Sequence, residues 1–134
     1  MKIRILFKTT AIAVITLGCI HTSATPFIFN LFAKNAKIDP AALYMFIMVG
    51  MSTIFIGWLQ YFLVKQLHPE KNAAQNGFQK ILLVTVIYLG ILGSGAVMAM
   101  PDNPFAYISL LIAAVELIFW QRYAEAIHST QVGD

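Results

Sequence analysis

FAYISLLIAAVELIFWQRY, residues 105–123, decides the fold, because it is an apolar run of membrane length with one ionisable residue, Glu116, well inside it. A carboxyl at such depth is costly in lipid, so it faces other helices or a water-filled pocket and is a functional candidate by default. The rest of the chain must supply surroundings that tolerate it.

Composition points the same way. Of 134 residues, 59% are hydrophobic and only 11% charged, with a mean hydropathy of +0.74, against about 45–50% apolar residues in ordinary soluble domains. A soluble domain of this length has too little interior to hide that fraction. Several runs are long enough to cross a hydrocarbon core of about 30 Å, so the chain reads as an all-α polytopic membrane protein. Its net charge of +3 and pI near 9.1 come from basic residues flanking apolar runs, which makes membrane lipids with anionic headgroups the expected partner and excludes nucleic acid. A single cysteine, Cys19, forbids an internal disulfide.

Working outward from residues 105–123, the proline turn Pro101-Asp102-Asn103-Pro104 starts a helix over about 104–123. Asp39-Pro40 starts another over 40–65 in the same way, since Asn or Asp accepts the orphan amides of a first turn and proline suits the first helical position. The likeness of DPAALY to NPFAYI is read as this shared cap rather than as an internal repeat. The remaining helices are expected at 5–26 and 80–100, with an interfacial segment at 27–38, a polar loop at 66–79 and a polar tail at 124–134. Residues 1–24 have a basic start and a small-residue stretch at Thr22-Ser23-Ala24, so a cleaved signal peptide is the alternative to a retained helix. The retained helix is favoured because apolar character runs from Ile5 to Pro26, which is membrane length. Lys2, Arg4, Lys8, Lys65, Lys71, Lys80 and Arg122 fall on one side of this arrangement and only Lys34 and Lys37 on the other. That bias places both termini and the long loop in the cytoplasm.

Small and polar residues mark the inward faces. Gly50, Thr53, Gly57 and Gln60 recur at helical spacing on helix two, and Ser109, Ala113, Glu116 and Trp120 on helix four. Helix three offers Gly90, Gly93, Ser94 and Gly95. Close packing of such residues predicts an up-down-up-down four-helix transmembrane bundle. Counted from Pro104, Glu116 lies about 18 Å deep, a level that Tyr88 matches when counted from Lys80. Gln60 and Thr85 fall slightly nearer the cytoplasmic boundary, so Glu116, Tyr88, Gln60 and Thr85 form the candidate ligand or proton site. His21 belongs to the opposite half, about 10 Å away in depth, with Thr22, Ser23, Thr25, Ser94 and Tyr44 for neighbours.

Two chemistries suit Glu116: a protonatable group on a solute path, or a neutral acid bonding a neighbouring helix, since low dielectric favours the neutral form. His21 could ligate a metal or haem or sense pH. No second histidine lies in a membrane run, His68 being in the loop and His128 in the tail, so no cofactor or metal is expected. The chain has no phosphate loop, CxxC, HExxH or nucleophile elbow, and no catalytic residue stands out.

LGCIHTSATP at 17–26, MVGMSTIFIGWLQYF at 48–62 and the proline turn before helix four resemble small bacterial four-helix integral membrane proteins of the broadly DoxX-like kind. The resemblance implies a bacterial inner membrane and carries no activity or catalytic residue with it. The expected function is non-enzymatic: binding or stabilising a lipid, a small hydrophobic ligand or a membrane partner, which includes a second copy of the chain. The alternatives are a small oligomeric transporter or proton-coupled subunit titrating Glu116, and a membrane redox or lipid-modifying enzyme using His21 and Cys19.

Overall fold

Four helices account for the chain where a computed structural model describes it, at residues 2–32, 40–66 and 73–129. They are α1 (Lys2–Phe32), α2 (Pro40–Gln66), α3 (Ala73–Ala99) and α4 (Pro104–Ser129). The expected cap Asp39, the interfacial residues 33–38, the loop residues 67–72 and the tail residues 130–134 lie outside the described residues.

Each helix outruns its apolar stretch. α1 continues through Pro26 to Phe32, taking up the first part of the expected interfacial segment. A proline inside a helix removes one amide donor. Hydroxyls can serve the backbone locally in apolar helices, and Thr25 donates to the His21 carbonyl beside the interruption. α3 begins at Ala73, inside the expected loop, because Ala and Gln are good helix formers and Phe78 packs on the core beyond them. α4 extends to Ser129, into the expected tail. Its start follows the proline turn: Asn103 is buried and its carbonyl accepts from the Ala106 amide at 3.2 Å, while Pro104 opens the helix.

Among the described residues the helices form a ring in which the backbones of adjacent helices approach closely and those across the diagonals meet only through side chains. α1 and α2 make the closest pair and α3 and α4 the next, while α1–α4 and α2–α3 contacts are lighter. α1 and α2 run antiparallel, since Arg4 at the start of α1 donates to the carbonyls of Val64, at 3.0 Å, and Lys65 at the end of α2. Their closeness depends on glycine. A Cβ on Gly57 would sit 2.8 Å from the Ile15 amide nitrogen and 2.9 Å from the Ala11 carbonyl, and one on Gly18 would sit 2.7 Å from the Ile54 nitrogen. Backbone packs on backbone at both places.

Phe7, Leu63, Val64, Leu82 and Val86 fill the interior near the Arg4 end, and Val14, Leu89 and Ala113 continue it. The outside is also apolar: Ile12, Phe55, Val84 and Leu111 are each more than half exposed. Apolar surface all round suits a helix in lipid and not one in water. Arg4–Phe27, Leu43–Gln66 and Asn76–Ala99 are long and apolar enough to cross a membrane. These are the three such spans among the described residues.

Candidate functional site

Glu116 on α4 and Gln60 on α2 meet across the diagonal of the ring, where the two backbones do not touch. The Gln60 amide donates from Nε2 to Glu116 Oε2 at 2.7 Å, and both side chains are 0% exposed. Long side chains span the centre because the α1–α2 seam uses glycine and leaves the middle of the ring to be filled. The Thr10 hydroxyl of α1 lies beside the same carboxyl and itself donates to the Phe7 carbonyl at 3.0 Å.

The hydrogen bonding of this pair is half complete. Gln60 Oε1 and Glu116 Oε1 are both buried without a partner. Both are acceptors when the acid is ionised, and two unsatisfied acceptors in a dry interior are costly. A proton on Glu116 supplies the donor the pair lacks. The arrangement can therefore store a proton and tie α2 to α4.

The other sequence candidates are placed elsewhere. Thr85 is buried, but its hydroxyl donates to the Leu82 carbonyl one turn back, at 2.7 Å. Tyr88 is 42% exposed. Both line an outer groove of about 480 Å³ between α2 and α3, with Met51, Phe55, Ile56 and Val84. Equal depth brought these residues to one level of the bundle and left their directions around the helix axis open. His21 is half-buried, its Nε2 is 3.1 Å from the Phe46 carbonyl oxygen, and its ring stacks on Phe46 with centroids 6.1 Å apart. With Thr53, Asn103 and Ser109 it lines a small internal cavity of about 40 Å³. The sequence reading missed Thr10 and took Asn103 only as a helix cap. Thr10 was detectable as a hydroxyl on the helix face it shares with Phe7 and Val14.

Among the described residues no three His, Cys, Asp or Glu side chains gather as metal ligands. Fold and site together define an all-helical protein of membrane character with a buried acid–amide pair at its centre. No family model, no curated protein and no solved structure matches the chain, so the functional reading rests on these residues.

Proposed function

We propose that the chain is a four-crossing protein of a bacterial inner membrane, with both termini cytoplasmic, that binds lipid along its outer surface and performs no chemistry of its own. The observation that carries this is the commitment of its one embedded acid. Glu116 is fully buried and bonded to a neighbouring helix, as a structural tie requires. With the acid turned inward, the outward face of α4 is Tyr107, Ile108, Leu111, Leu117 and Ile118, an apolar face that suits a fourth crossing. The seven-to-two distribution of Lys and Arg supports the orientation. Lipid is supported by the outer grooves: one of about 580 Å³ between α3 and α4 is lined by Ile87, Gly90, Ile91, Met98 and Leu117, shapes that accept an acyl chain.

The test is flux. Proteoliposomes of wild type and Glu116→Gln are expected to leak protons and small solutes at the same background rate as empty vesicles. Proton movement well above background in wild type that Glu116→Gln removes would make Glu116 a transport group and overturn the reading.

A further inference from the structure

We propose that the Arg4–Lys65 end of the α1–α2 pair is a binding site for an anionic phospholipid, whose phosphate lies between Lys8 and Lys65 and whose acyl chain runs along Phe62, Trp58 and Phe55. This rests on the lipid-facing reading above and names the lipid class and its place.

Charge is the first support. α1 and α2 contain no Asp or Glu at all, and their four cations, Lys2, Arg4, Lys8 and Lys65, all sit at this one end. Arg4 is satisfied by backbone carbonyls, which leave its charge uncompensated. Among the described residues no carboxylate pairs with Lys8 or Lys65. A basic cluster at the end of membrane helices attracts anionic headgroups, and Arg4 holds the Lys65 backbone in place before any lipid arrives.

Geometry is the second. The Lys8 ammonium lies over the Tyr61 ring, 5.9 Å from its centroid, and Lys65 follows Tyr61 by one turn, so the two lysines bracket one exposed aromatic. Below them Phe62, Trp58 and Phe55 stack in sequence, with centroids 5.9 Å and 6.4 Å apart and ring planes within 13° and 28° of each other. All three are largely exposed, Trp58 at 56%. Phe55 then forms part of the α2–α3 groove with Met51 and Tyr88. From Lys65 to Met51 this track covers about 21 Å of helix, more than the about 15 Å of hydrocarbon in one leaflet. A flat apolar strip of full chain length beneath two ammonium groups that no described carboxylate pairs matches one phospholipid with a negative headgroup. A zwitterionic lipid would bring a choline or ethanolamine cation against Lys8 and Lys65.

Trp58 is the built-in reporter. The full chain, carrying Trp120→Phe so that Trp58 alone emits, is reconstituted in phosphatidylcholine vesicles containing a minor fraction of brominated lipid. Brominated phosphatidylglycerol is expected to quench Trp58 well beyond its mole fraction, and brominated phosphatidylcholine only in proportion to it. Lys8→Gln and Lys65→Gln should each weaken the preference about fivefold, the factor equivalent to about 1 kcal/mol per basic residue, whereas Lys8→Arg should keep it. Raised salt should lower it as well. Equal quenching by the two lipids would overturn the anionic site and leave the lipid-facing reading standing. Quenching by neither would show that Trp58 does not meet lipid and would sink both.

Discussion

Gly57→Leu is expected to abolish the folded chain in detergent, giving aggregated or protease-sensitive material where wild type gives one species by size exclusion. The cause is local. A Cβ at position 57 would approach the backbone of α1 at Ala11 and Ile15 to 2.8–2.9 Å, and backbone has no rotamer with which to retreat. α1 and α2 must then part along their whole seam, which Gly18 against Ile54 maintains further along. Overpacking a well-filled interior costs about 1–3 kcal/mol even where side chains can adjust, so a leucine against rigid backbone should exceed that range. Close packing through small residues is one of the main drivers of helix association in lipid, and the α1–α2 hydrogen bonds of Arg4 and His21 lie away from position 57. Gly95→Leu is the matched control. A Cβ there meets nothing within 4 Å, so the variant should fold with wild-type stability despite an equal gain in volume. If Gly57→Leu and Gly95→Leu melt alike, the α1–α2 seam is not the close contact described.

That contrast also marks how far the sequence could be read. Glycines at 50, 57, 93 and 95 look equivalent as letters, and all suit packing. Gly50 and Gly57 face α1, Gly93 faces Ser109 and Leu110 of α4, and Gly95 opens outward to the α3–α4 groove. The expected stripe Gly50-Thr53-Gly57-Gln60 divides in the same way: its glycines meet α1, Gln60 reaches α4 and Thr53 lines the cavity beside His21. Helix existence was legible because apolar run length and Asn-Pro punctuation are local signals. Helix ends were not. Ala73 to Gln79 join the helix although Gly77 and Asn76 are poor helix formers, because continuing a helix keeps their backbone groups paired. Depth counting allowed a contact between Glu116 and Gln60, since rise per residue is fixed. It also admitted Tyr88 and Thr85, because depth is one coordinate and facing is another that only helix packing determines.

Replacing one member of the buried pair should cost more than replacing both. Glu116→Leu takes from the Gln60 amide the partner of its Nε2 donor and leaves its Oε1 acceptor unpaired as before. Stranding a buried polar group in this way costs about 1–3 kcal/mol. Gln60→Leu strands the carboxyl instead, at a similar or larger cost, because an acid tolerates isolation from water less well than an amide. In Gln60→Leu/Glu116→Leu neither position leaves a polar atom unpaired, and two leucines fill a volume close to the original, so the loss should fall below the sum of the single losses by about 1–2 kcal/mol. Glu116→Gln should lie near wild type, since an amide can both donate to and accept from Gln60. The measurement is a double-mutant cycle on unfolding in mixed micelles, with size exclusion to verify the starting state of each variant. Strictly additive losses would mean that the two side chains are neighbours without being partners. Coupling accompanied by unchanged background proton flux in all four variants would assign the pair to holding α2 against α4 across the centre of the ring, where no backbone contact does so.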